Sequence, residues 1–206
     1  MRKILFFSML ALAILLTVGC QQRKTVPEGS CHIVGTISEQ YNGKRIFLVP
    51  LVGPKTAEYV DSIEVSNGHF EFTKDTLMMA KVLMDYHYRF GLQPLLVVVE
   101  PGEVQVVIDS ISHAVGTPQN DSLEKWKQVT EVHNMQLASL RRAGRQAEGD
   151  SVHLAYKKFT RSLASNMKEG LLHEFLKQLY PLTYKKKMPD GRIVTMNADT
   201  NEEIAD

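Results

Sequence analysis

The chain predicts a mainly β domain followed by α-helix: an antiparallel β-sandwich or partly closed barrel of about seven or eight strands, then an α-helical hairpin. Short alternating runs recur with turn signals between them from residue 31 to residue 109. Within them, Val60 to Phe72 holds Asn67-Gly68 between two alternating arms, the strongest local signal for a primed two-residue turn. Beyond Gly116 the apolar spacing lengthens from two to three and four, which is helical.

Strand candidates fall at 31–38, 45–51, 58–65, 69–73, 79–86, 93–99 and 103–109. Asn42-Gly43 turns the chain between the first two. Asn67-Gly68 makes a β-hairpin of Val60–Phe72, around which the domain is expected to be built. Leu95 to Val99 is apolar without interruption, as in a strand covered on both faces, and is expected at the centre of a sheet. Glu100-Pro101-Gly102 leads into Val104–Ile108 as a second hairpin, paired with the first.

Asn120 or Asp121 is placed to cap a helix, with Glu124 favourable to its dipole. Leu123, Trp126, Thr130, His133, Leu137 and Leu140 form its buried stripe, and Gly144 and Gly149 end it. Asp150 or Ser151 opens a second helix, whose ridge Phe159, Leu163, Met167, Leu171, Phe175 and Leu179 repeats every fourth residue, with a kink at Gly170. Pro181 stops it. Lys185 to Lys187 begins a polar tail with a turn at Pro189-Asp190-Gly191, a short strand at 192–196, and a Thr200…Glu203 capping box for a helix the chain has no residues left to build. The ending therefore reads as cut from a longer design.

The amino end has a different character. Arg2 and Lys3 precede an apolar run from Ile4 to Val18, about fifteen residues where a bilayer span needs roughly twenty. This is a secretory signal, and its end, Leu16-Thr17-Val18-Gly19-Cys20, resembles a bacterial lipobox. That resemblance implies cleavage before Cys20 and acylation of its thiol and new amine, palmitate included. Thr17 stands where leucine is commonest, and a plain secretory signal with an incidental cysteine is the competing reading. The organisation is then leader 1–19, lipid-anchored tether 20–30, β-sandwich 31–117, helical hairpin 118–180 and polar tail 181–206.

The whole chain is 44% apolar and 23% charged with a net charge of +1, ordinary for one globular domain with an appendage. Losing the leader removes two basic side chains, so no basic excess remains to neutralise phosphates, and nucleic acid is not an expected partner. Cys31 is then the one thiol not acylated. It shares a strand face with Ile33, Gly35 and Ile37, which favours burial as a small hydrophobe.

Gly35-Thr36-Ile37, Gly43-Lys44 leading to Ile46-Phe47-Leu48, Val60-Asp61-Ser62, Asn67-Gly68-His69-Phe70-Glu71-Phe72, Val99-Glu100-Pro101-Gly102 and Gly116-Thr117-Pro118-Gln119-Asn120 occur in this order over roughly residues 31–120. Together they resemble domain of unknown function 4369 of Bacteroidota lipoproteins, which often precedes thioredoxin-like modules of the TlpA or AhpC/TSA type. The segment after Asn120 is similar to the spacer before that module. Such a module needs a low-pKa cysteine, usually with a second to resolve the mixed disulfide. Residues 121–206 contain no cysteine, so the activity does not carry over.

Searching for chemistry nominates no catalytic, cofactor-binding or metal-binding residue. The seven histidines include no His-x-x-x-His, and His133, His153 and His173 lie twenty apart. Cys31 and His32 are neighbours on a strand and point to opposite faces, as do Asp61 and Ser62, of which Asp61 is expected to bond nearby backbone. Trp126 is expected to pack rather than line a groove, and Lys185–Lys187 to form a solvated face. The expectation is a cell-envelope lipoprotein, periplasm-facing because Gln21-Gln22-Arg23-Lys24 lacks an acidic export cluster, acting as a non-catalytic binding or structural module. Its partners are the bilayer through acylated Cys20 and another envelope protein. The alternatives are an accessory to thiol-disulfide chemistry on a separate thioredoxin-like partner, which requires an exposed Cys31, and an unrecognised envelope enzyme.

Overall fold

Alternating side chains leave most strands between residues 31 and 115 with one face that must be hidden, and two sheets hide those faces against each other. The structure is a computed structural model describing residues 27–84 and 94–204; the expected leader, Cys20, most of the expected tether and the junction between the fifth and sixth strands lie outside the described residues. One four-stranded sheet has the order β4-β1-β7-β8: β4 (His69–Lys74), β1 (Cys31–Ile37), β7 (Gly102–Ile108) and β8 (His113–Val115). The other has the order β3-β2-β5-β6: β3 (Asp61–Glu64), β2 (Arg45–Pro50), β5 (Met78–Met84) and β6 (Leu95–Val99). Every pair is antiparallel except β1 with β7, which run parallel with Ile33 beside Val104. The two sheets are not closed into a barrel.

Their inner faces form one core, with Ile33, Phe70, Phe72, Val104 and Val106 on one side and Ile46, Leu48, Val82, Val97 and Val99 on the other. Phe70 lies over Gly35 of the neighbouring strand. A Cβ at Gly35 would sit 1.9 Å from the Phe70 ring, so the glycine is the space the ring occupies. A third layer, the helices, covers Met79 and Val98 on the outer face of the second sheet.

Both expected hairpins are corners between sheets. Asn67 (φ 51°) and Gly68 (φ 71°) adopt the primed turn, and Ser66 and His69 exchange both backbone hydrogen bonds across it. Pairing stops there. β3 continues along β2 in one sheet and β4 along β1 in the other, because each arm must place its apolar side chains in the same core from opposite sides. Gly68 N–H donates to Asn42 Oδ1 at 2.8 Å, and Ile37 N–H donates to Gly68 O, so the two Asn-Gly turns are tied together. Lys74 on β4 and Asp61 on β3 form an ion pair at 2.8 Å between the edge strands of the two sheets.

Likewise β6 and β7 belong to different sheets. β6 is covered on both faces, as its composition requires, but stands at a sheet edge rather than the centre. Its free edge is closed by a side chain: Val98 N–H donates to Asn120 Oδ1 at 2.9 Å, and Asn120 Nδ2 donates to Val98 O at 2.8 Å. The amide of one asparagine thus does for Val98 what another strand would do.

Helix α1 (Pro118–Arg142) starts three or four residues earlier than its capping signals suggest, with Thr117 before it and Pro118 at its first position. Asp121 accepts a hydrogen bond from Gly116 N–H at 2.8 Å, and Gly144 (φ 69°) follows the helix end as expected. The second expected helix is two, α2 (Gln146–Asn166) and α3 (Leu171–Leu179). Gly170 abuts the Gln119 side chain so closely that a Cβ would lie 2.7 Å from its Oε1, and Leu172 N–H donates to the same oxygen at 2.9 Å. Breaking there re-aims α3, so that Leu172 and Leu176 are fully buried while Leu179 at the end of the expected ridge is exposed.

Within the stretch expected as a polar tail, β9 (Thr183–Lys187) and β10 (Ile193–Asn197) form a two-stranded ribbon. All residues of β9 are exposed, Lys185–Lys187 included. Asp199 holds the ribbon to α2 through Lys157 at 3.4 Å and Arg161. Thr200 and Glu203 open no helix: Asn201 takes φ 57° in a turn, and Glu203 bridges back to Met196.

Gly35→Ala is expected to destabilise the fold by about 1–3 kcal/mol through overpacking, read as a lower urea midpoint at unchanged slope. Adding Phe70→Leu should recover part of that loss, since the two changes share one clash.

Candidate functional site

Four groupings of polar side chains emerge, and three of them are spoken for by the fold. Cys31 opens β1 with its side chain in the core, 2% exposed. Burial pushes its thiol above the usual range, partly offset by a hydrogen bond with the Glu100 backbone, so little thiolate forms near neutrality. His32 beside it faces outward, 3.5 Å from Glu71.

Two sequence pieces distant in the chain meet at the start of α1. Gln119 N–H donates to Glu100 Oε1 at 2.8 Å, and Gln119 Nε2 donates to Glu100 Oε2 at 2.7 Å, so both carboxylate oxygens are engaged. Asn120 Nδ2 also donates to Thr117 Oγ1 at 2.8 Å. Asn120 is fully buried, and Glu100 and Thr117 nearly so. This junction docks the helical layer on the sandwich and leaves no polar atom of Asn120 over for a ligand.

The seam between α1 and α2 is polar in layers one helical turn apart. Trp126 Nε1 donates to Thr160 Oγ1 at 3.3 Å, and its ring meets Phe175 edge to face, so Trp126 packs as expected. Thr130 Oγ1 and Tyr156 OH lie 2.6 Å apart. His133 stacks on Tyr156 with ring centroids 4.1 Å apart, and its Nε2 faces His153 Nδ1 at 3.3 Å, so one imidazole donates and the other accepts. Burial, His153 and Arg141 together hold His133 below the usual histidine range. The fold therefore gathers His133 and His153, while His173 stands apart with Nδ1 2.9 Å from Ala164 O. Among the described residues no group of three or more histidine, cysteine or acidic side chains is arranged to hold a metal. Asp61 pairs with Lys74 in place of the backbone bond expected for it.

The fourth grouping is open. On the outer face of the second sheet, register places Phe47 of β2 beside Leu83 of β5, and Val49 beside Lys81. The helices cover the β6 side of this face and leave Phe47, Val49 and Leu83 half-buried outside their footprint. With Pro50, Leu51, Val60 and Pro94 they line a cavity of about 420 Å³, of a size used for small ligands, with Lys55 and Lys81 at its rim. Both lysines are exposed, and among the described residues no carboxylate pairs with either. A second cavity of about 460 Å³, beside Leu96, Ile111 and Trp126, has mixed charge, and its Lys127 is already paired with Glu124 at 2.6 Å.

Sequence reasoning missed the lysine-rimmed groove. Its signal was the unbroken apolar run Ile46–Val49, which offers apolar side chains to both faces of one strand. One face enters the core; what covers the other depends on where the helices land.

Residues 31–123 match the family model described as Domain of unknown function (DUF4369), a span that includes both sheets of the sandwich and ends in the second turn of α1. No curated protein and no solved structure gives a significant match to the chain.

Asn120→Ala orphans the Val98 N–H and C=O at a buried edge and is expected to cost about 2–4 kcal/mol, measurable by urea denaturation. For His133 the folded-state pKa lies below the unfolded value of about 6.5, so its contribution to stability is complete above that pH and is lost as pH falls below it. Melting temperature should therefore fall more steeply below pH 6.5 in the parent than in His133→Gln.

Proposed function

We propose that this chain, which over residues 31–123 carries a domain of unknown function (DUF4369), is a lipid-anchored envelope protein that binds rather than catalyses. The observation that carries the binding reading is the groove of Phe47, Val49 and Leu83, half-buried and outside the helical layer, with two lysines that no carboxylate pairs with among the described residues. The anchoring reading rests on the basic-then-apolar leader and the Leu16–Cys20 motif. Acyl chains on Cys20 contribute about 0.8 kcal/mol per buried methylene, and two or more suffice for stable attachment.

The absence of catalysis is supported by how the most reactive groups are held. Cys31 is buried with its thiol pushed up, and both carboxylate oxygens of Glu100 accept hydrogen bonds. A buried Cys31 also weighs against the redox-accessory alternative, which needs that thiol within reach of a partner's disulfide. A mature chain close to neutral, without a basic field, favours the bilayer and proteins or small molecules over nucleic acid.

In intact cells the parent is expected in the membrane fraction with an acylated amino terminus at residue 20, and Cys20→Ala in the soluble envelope fraction. An unmodified amino terminus, or parent protein free in solution, would overturn the anchor.

A further inference from the structure

Resting on the reading of this chain as a binding module, we propose that the groove on the outer face of the second sheet takes a single-chain fatty acid as its carboxylate. The alkyl chain lies along Phe47, Val49 and Leu83, and the carboxylate sits between the ammonium groups of Lys55 and Lys81.

Shape, charge and position each narrow the ligand. The walls contributed by Phe47, Val49, Leu51, Val60 and Leu83 are apolar and offer no side-chain donor or acceptor, so the part of the ligand they touch is hydrocarbon. The rim carries two cations, and among the described residues it has no paired acid, in contrast to the cavity beside Trp126, whose lysine is already neutralised. Two exposed cations at one mouth select a ligand with a charged anionic end. A cavity of about 420 Å³ suits one alkyl chain and not the two chains of a membrane phospholipid. The register fixes the polarity of the ligand across the strands: Lys81 stands opposite Val49, and Leu83 opposite Phe47, so the hydrocarbon runs from the Val49–Lys81 pair towards the Phe47–Leu83 pair. The strip is held by strand pairing on both sides of β2, so it exists before the ligand arrives and binding does not have to order it.

The test is calorimetric titration of laurate, below its micelle concentration, into the full chain carrying Cys20→Ala. That chain has no acyl acceptor, so the outcome is independent of whether the parent is anchored. Saturable one-site binding is expected. Lys55→Gln and Lys81→Gln, both at exposed positions, should each weaken it about three- to fivefold, with melting temperature unchanged. Dodecanol should bind less tightly than laurate, and dodecyltrimethylammonium should not compete. Val49→Asp, which sets a carboxylate opposite Lys81, should abolish laurate binding; a normal circular dichroism spectrum confirms that the variant folds. The proposal is overturned by absence of saturable laurate binding, by dodecanol binding as tightly as laurate, or by lysine variants that bind like the parent. It is equally overturned if phosphatidylglycerol vesicles or an acidic apolar peptide bind at these residues and laurate does not displace them.

Discussion

The edge of β6 is the constraint on which the rest of this structure depends. A strand as apolar as Leu95–Val99 has to be covered on both faces, yet it lies last in its sheet, where a free backbone edge would be buried without partners. Asn120 resolves this by presenting a carbonyl to the Val98 N–H and an amide to the Val98 carbonyl. Because Asn120 belongs to the first turn of α1, satisfying the strand edge also decides where the helical layer begins. Glu100 and Gln119 hold the same helix start from the turn after β6, and Gln119 in turn receives the first turn of α3. One polar junction therefore connects a sheet edge, a turn and two helices.

The placement of the groove follows from that junction. Helices fixed at the β6 end cover Met79 and Val98 and stop short of Phe47 and Val49. The sandwich core is indifferent to this, since Ile46 and Leu48 on the same strand already face inward. A half-buried apolar strip on β2 and β5 is thus left outside the helical layer by geometry imposed elsewhere. The seam between α1 and α2 adds a further polar element: Thr130, His133, His153 and Tyr156 match one another in pairs, a more selective interface than leucines would make.

Turn, stripe and strand-face signals agree with the structure, whereas the helix-capping signals do not: α1 begins before Asn120, α2 begins at Gln146 with Gly149 inside it rather than at Asp150 or Ser151, and Thr200 opens no helix. Asn67-Gly68 does form the primed turn, the α1 stripe from Trp126 to His133 does face α2, and Cys31 does share the buried face of β1. The other differences concern partners. Turn chemistry specifies how the backbone reverses, and leaves open whether the two arms stay paired; here both corner turns send their arms into different sheets. Leu95–Val99 announced cover on both faces, but a helix layer and an asparagine supply it as well as central strands would. The four-residue ridge from Phe159 to Leu179 was a sound periodicity, broken at Gly170 by contact with Gln119, a residue fifty-one positions earlier in the chain.

By itself the order of residues determined the β-then-α composition, the turns and which strand faces are apolar, because each depends on side chains a few positions apart. Only the tertiary arrangement decided the crossing of the chain between sheets, the meeting of Glu100 with Gln119 and of His133 with His153, and the half-buried groove that Phe47, Val49 and Leu83 line together with Lys55 and Lys81. Those features depend on which surfaces bury one another first, and burial is a property of the whole body that no local pattern carries.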